Sequence, residues 1–100
     1  MLNQIVVVGR ITKNFEIRKE ENKKSTYLHL AVPRSYKNAN GEYDTDFLKI
    51  KLYDGIATNT AEYCQIGDLV GVKGRIQGNG DKMEIIAEKL TFLSSTKKEN

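Results

Sequence analysis

Apolar residues recur at every second position through most of this chain, which is the period of a strand with one buried face. The clearest run is Asp46-Phe47-Leu48-Lys49-Ile50-Lys51-Leu52-Tyr53. Leu48, Ile50 and Leu52 form a core face, and Phe47, Lys49, Lys51 and Tyr53 form an opposite face of two aromatics around two cations. Asn3 to Ile11 reads as a β-branched strand with Gly9 at a bend. A strand-like piece at Phe15 to Arg18 precedes the polar run Lys19 to Ser25, which predicts a solvated turn or loop. Thr26 to Val32 alternates again, with Leu28, Leu30 and Val32 inward and Tyr27, His29 and Ala31 outward. Pro33 removes a backbone donor and predicts a kink or an edge. Beyond it, Asn40-Gly41 marks a hairpin whose outgoing arm carries Arg34, Tyr36 and Lys37 and whose return arm carries Glu42, Asp44 and Asp46.

The period changes once. Asp54 to Gln65 predicts a short helix, capped by Asp54 or Thr58 and ended near Gly67. Ile56, Tyr63 and Ile66 are expected to plug one end of a barrel, and Cys64 to be a small buried hydrophobe. Leu69 to Gln77 is the next strand, with Gly71 and Gly74 allowing curvature and Lys73 and Arg75 opposite Val70, Val72 and Ile76. Gly78 to Asp81 makes a tight turn, and a last strand runs from Lys82 to Leu93 with a bend near Glu88. The chain thus divides into a domain over residues 1–94 and a polar tail over 95–100, expected to be disordered. Five curved strands with one helix between strands 3 and 4 predict an all-β, five-stranded OB-fold Greek-key barrel.

One domain suits 100 residues, and 39% apolar with 29% charged residues is ordinary for a soluble protein. The longest apolar run, Ile5 to Val8, is too short for a membrane span or a signal peptide, so a cytoplasmic protein with no membrane partner is expected. One cysteine and one histidine exclude an internal disulfide and a zinc site. With no glycine-rich phosphate loop and no Ser/His/Asp set, no enzymatic activity, catalytic residue, cofactor, metal or small-molecule substrate is expected.

The net charge of +3 permits a phosphate partner without demanding one. The aromatic and cationic face is more specific, because it suits a polyanion whose units carry flat rings, namely single-stranded nucleic acid. The plainer reading is that Phe47 and Tyr53 close the ends of a half-buried strand whose lysines are merely solvated. Candidate stacking residues are Tyr36, Phe47 and Tyr53. Candidate phosphate ligands are Arg10, Arg34, Lys37, Lys49, Lys51, Lys73 and Arg75.

Four segments carry a family resemblance: Met1 to Arg18, Leu30-Ala31-Val32-Pro33-Arg34, Asp46-Phe47, and Gly67 to Gln77. In the same order and over almost the whole chain, they resemble the bacterial single-stranded DNA-binding (SSB) proteins. That resemblance implies an OB-fold homotetramer, with a dimer as the lesser possibility, that coats single-stranded DNA in replication, recombination and repair. It implies base stacking at Tyr36, Phe47 and Tyr53, and a subunit interface on the first strand at Leu2, Gln4, Val6 and Val8. The chain departs from the family pattern in having no tryptophan, a short Gly78 to Asp81 connection, and Asn14-Phe15 in place of Asp-Pro. It ends in Thr96-Lys97-Lys98-Glu99-Asn100 rather than an acidic tip, so tail-mediated recruitment of repair proteins is not expected, and a shortened form or a phage or plasmid origin in a bacterial host is. Two other readings fit the same pattern: a replication-restart accessory similar to primosomal protein B, and an OB module that binds a protein or oligosaccharide.

Overall fold

The computed structural model describes residues 3–95. Six strands and one helix follow in the order β1 (Ile5–Ile11), β2 (Arg18–Glu20), β3 (Lys23–Lys37), β4 (Tyr43–Tyr53), α1 (Asp54–Tyr63), β5 (Leu69–Asn79) and β6 (Lys82–Ser94). Hydrogen-bonded neighbours run β1-β5-β6-β4-β3-β2, and β1 returns to β3 at Arg10↔Ala31 and Ile11↔Leu30. Five strands therefore close into a barrel, with β2 attached outside the ring through β3. Among the barrel strands α1 falls between the third and the fourth, as the OB-fold pattern requires.

Alternation explains what fills the barrel. Ile11, Leu28, Leu30, Ile50, Leu52, Val70 and Val72 are almost wholly buried and form one cluster. Each such side chain contributes roughly 1.5–3 kcal/mol relative to its exposed state. Closing so small a ring brings backbones together at two glycines. A Cβ on Gly9 would stand 2.6 Å from the Ala31 carbonyl oxygen, and one on Gly74 would overlap the Ile86 carbonyl. Opposite Gly74 the ladder skips Glu88, because Lys73 faces Lys89 and Gly74 faces Ala87. The bend expected near Glu88 is thus a bulge, which sharpens the local twist where the strand must curl.

The β3–β4 hairpin leaves the barrel beyond Pro33↔Thr45, and its register is irregular until Lys37↔Tyr43. Asn38 ties the tip together, its Oδ1 accepting from the backbone N–H groups of Asn40 and Glu42 at 2.8 and 3.0 Å. Gly41 has φ 79°, the left-handed conformation that the Asn-Gly pair predicts.

Several expectations fail. The polar run Lys19 to Ser25 is a hairpin, pairing Arg18↔Ser25, Lys19↔Lys24 and Glu20↔Lys23 around Glu21 at φ 55°. Backbone bonds hold it, so no apolar period announces it, and Phe15 to Ile17 stay outside any strand. Tyr63 and Ile66 do not plug the barrel, being 73% and 48% exposed. Ala57 and Thr60 are the buried helix residues, with Ile56 and Cys64 packed beside the core. At 3.6 residues per turn, Tyr63 falls about a quarter turn from the stripe of Ala57, Thr60 and Cys64. The helix also starts without a side-chain cap: Tyr53 is the cap residue, and the Asp54 carboxylate instead accepts the Lys24 N–H at 3.3 Å. Its end is Cys64, three residues before Gly67.

Gly74→Ala should lower stability by about 1–3 kcal/mol or more through overpacking against Ile86. Gly71→Ala, where the nearest atom is 3.6 Å away at a flexible leucine end, should cost far less. Thermal unfolding of the two variants side by side checks this, and equal melting temperatures would contradict the close approach.

Candidate nucleic-acid interface

Ile50 and Leu52 are buried on one side of β4, so the odd-numbered side chains must face outward. Register then places them in rows across β3. Phe47 faces Ala31, Lys49 faces His29, Lys51 faces Tyr27, and Tyr53 faces Ser25. Arg10 of β1 lies opposite Ala31 and so continues the Phe47 row, and it also donates to the Gly67 carbonyl at 2.9 Å. Phe47 is 74% exposed at the upper end of this face. Tyr53 is half-buried at the lower end.

Between them the lysines lie over aromatic rings. Lys49 Nζ is 4.1 Å from the Tyr27 ring centroid, and Lys51 Nζ is 5.1 Å from Tyr27 and 5.5 Å from Tyr53. Lys23 extends the array at 5.8 Å from Tyr53, and Lys37 stands 5.8 Å from Tyr43 on the hairpin. Exposed contacts of this kind are worth about 0.5–1 kcal/mol, enough to hold a lysine but not to sequester it. Desolvation works against the Lys51 charge, but a hydrogen bond to Tyr27 and the neighbouring Tyr53 and Glu84 outweigh it and raise the pKa. His29 moves the other way: partial burial, then the Lys13 and Lys49 charges, lower its pKa, so it is neutral at pH 7.

Not every predicted cation lies on this face. Arg34 shares the side of the hairpin that carries Asp44 and Asp46. Its Nη2 and Nε donate to Asp46 at 2.9 and 3.1 Å, and its Nη1 is 3.7 Å from Asp44. The hydrogen bond and charge of Asp46 raise the Arg34 pKa, and Arg34 lowers that of Asp46. Lys73 and Arg75 sit on β5, which pairs with β1 and β6 but not with β3 or β4. Lys73 faces Val6 and Lys89, and Arg75 reaches Glu88 at 3.3 Å. Tyr36 is 64% exposed within the irregular part of the hairpin. Of the proposed interface residues, Leu2 lies outside the described residues, while Gln4, Val6 and Val8 are exposed along the first strand.

Tyr27 was legible only as an outward residue of β3. Its place between Lys49 and Lys51 depends on the β3–β4 register, which no local period reveals. Tyr43 and Lys23 reach the array in the same way, each through a partner on another strand.

The chain is 47% identical over 78 residues to single-stranded DNA-binding protein B of Bacillus subtilis (strain 168), covering 77% of this chain and 69% of that one. It is 38% identical over 109 residues to the single-stranded DNA-binding protein of Staphylococcus epidermidis, covering 100% of this chain and 82% of the other. The crystal structure of a small single-stranded DNA-binding protein from Streptomyces coelicolor superposes with a TM-score of 0.70 over 92% of this chain and 94% of that chain; at 22% identity it speaks to the fold. The model described as "Single-strand binding protein family" matches residues 2–93, and with relatives at these identities the chain belongs to the single-strand binding protein family.

Proposed function

We propose that this chain binds single-stranded DNA without base specificity, protecting it during replication, recombination and repair. The observation that carries this reading is Phe47, a large aromatic left 74% exposed in the same row as Arg10 and next to Lys49 on one strand face. Leaving such a ring in water forgoes roughly 1.5–3 kcal/mol of burial, a cost that base stacking recovers on binding. Tyr36, Phe47 and Tyr53 stack bases, and sequence tolerance follows because every base has a π-face. Arg10, Lys37, Lys49 and Lys51 neutralise phosphates beside them. Lys73 and Arg75 carry charge onto β5, for a strand long enough to pass around the barrel. Arg34 stiffens the hairpin through Asp46 rather than meeting phosphate directly.

The active form is a homo-oligomer, with a tetramer favoured. From Ile5 to Gly9, β1 is paired with β5 but not with β3, which it meets only at Arg10 and Ile11. That leaves a strand edge open beside the exposed Val6 and Val8, a combination suited to pairing with a second copy.

Engagement of about five cations gives a slope of log affinity against log salt near −3.5. Oligo(dT) titrations at several salt concentrations measure it, and a flat response would remove the mechanism. Tyr36→Ala combined with Phe47→Ala should weaken oligo(dT) binding on the order of tenfold or more while leaving the melting temperature in place, because both rings are exposed. Asp44→Asn with Asp46→Asn frees Arg34, and should strengthen binding and steepen the salt slope by about 0.7. Val6→Glu with Val8→Glu should reduce the mass in solution to that of a monomer, read by light scattering; an unchanged mass would place the subunit contact elsewhere.

A further inference from the structure

The surface is concave on both sides of the Tyr27 ring. One groove is lined by Lys13, Glu16, Arg18, His29 and Lys49, with Thr26 and Tyr27. The other is lined by Asn79, Lys82, Met83, Glu84 and Ile85, and shares Tyr27 and Lys49 with the first. Tyr27 and Lys49 thus form the ridge between two hollows, the position from which a ring can meet a base entering from either side.

The first groove is built for an anion. Three cations converge on it from three separate elements: Lys13 from the segment after β1, Arg18 from β2 and Lys49 from β4. Glu16 is the one carboxylate among the lining residues, and none of the three cations is in an ion pair among the described residues. No ion pair among the described residues offsets the mutual repulsion of the three cations, and a phosphodiester would relieve it.

We propose that Tyr27 is an additional stacking residue and that the Lys13–Arg18–Lys49 groove holds the phosphodiester beside the stacked base, forming a nucleotide subsite at the other end of β3 from the hairpin aromatics. This rests on the DNA-binding reading above. Lys49 lies 4.1 Å from the Tyr27 centroid in the free protein. A phosphate in the groove draws that ammonium away and uncovers the ring face for the base, exchanging a weak cation–π contact for an ion pair and a stack. His29 is surrounded by Lys13 and Glu16 from the β1–β2 segment, Arg18 of β2, Lys49 of β4 and Tyr27 of its own strand. Partial burial, and then Lys13 and Lys49, disfavour its proton in the free protein. A phosphate offsets the two lysine charges, so binding here takes up a proton at His29 as pH falls through the ordinary histidine range toward 6.

The test is titration of oligo(dT) against the full chain and its variants, read by fluorescence anisotropy of a labelled oligonucleotide and by quenching of the intrinsic tyrosine emission, which no tryptophan masks. Tyr27→Leu, which keeps apolar bulk but no ring, should bind on the order of tenfold more weakly with an unchanged melting temperature, and Tyr27→Phe should restore binding. Lys13→Ala with Arg18→Ala should reduce the salt slope by about 1.4, whereas Lys89→Ala, the loss of one charge on β6 away from the groove, should leave it nearly in place. His29→Gln should flatten the rise in affinity between pH 8 and pH 6. Wild-type protein that binds oligo(dT) while Tyr27→Leu and the Lys13/Arg18 variant bind equally well overturns this subsite and leaves the wider reading standing. Failure of the wild-type protein to bind overturns both.

Discussion

Burial of Ile50 and Leu52 inside the barrel is the constraint on which the binding face depends. A strand has a side-chain period of two, so sealing those residues forces Phe47, Lys49, Lys51 and Tyr53 to the other side. A slip of one residue would exchange the faces, burying two lysines and exposing the core, at a cost no domain of this size can bear. The register is held from both flanks: β3 pairs antiparallel along most of β4, and β6 adds a parallel contact at Ile50↔Ile85 and Lys51↔Ile86. The chemistry of the outer face is therefore a by-product of packing on the inner one.

The modest net charge becomes effective through how the charges are distributed. Two of the three hairpin carboxylates are occupied locally: Asp46 and Asp44 by Arg34, and Asp44 also by the Asn38 side-chain amide at 3.0 Å. Ion pairs among the described residues use Arg34 and Arg75. Lys23, Lys37, Lys49 and Lys51 lie instead against tyrosine rings, which hold them in place without neutralising them. A phosphate can displace a ring more readily than it can displace a carboxylate, and the lysine moves to its new partner as the ring becomes free for a base.

Curvature links this face to the rest of the molecule. Gly9 and Gly74 let β1 approach β3 and β5 approach β6 more closely than any side chain permits, and the bulge at Glu88 supplies the extra turn. With the ring closed, β1 and β3 share the Arg10–Ala31–Phe47 row, while β5 presents Lys73 on another side. Charges that look equivalent along the chain are thereby divided between two surfaces.

The five barrel strands, the alternation of β4, the Asn-Gly hairpin and the helix were legible in the residues themselves, because each expresses a local rule of period or turn chemistry. The outward direction of Phe47 and Tyr53 belongs with them, since it follows from Leu48, Ile50 and Leu52 on the same strand. Other features required the assembled barrel. The Arg18–Ser25 hairpin has no hydrophobic signature, and the exposure of Tyr63 depends on the angle at which a ten-residue helix meets the core. Tyr27 acquires its lysines, Arg34 its aspartates and Lys73 its separate side only through cross-strand register and strand order. Those are relations between segments distant in sequence, and tertiary closure alone decides them, whereas the period-two pattern lives within one segment and can be read from it directly.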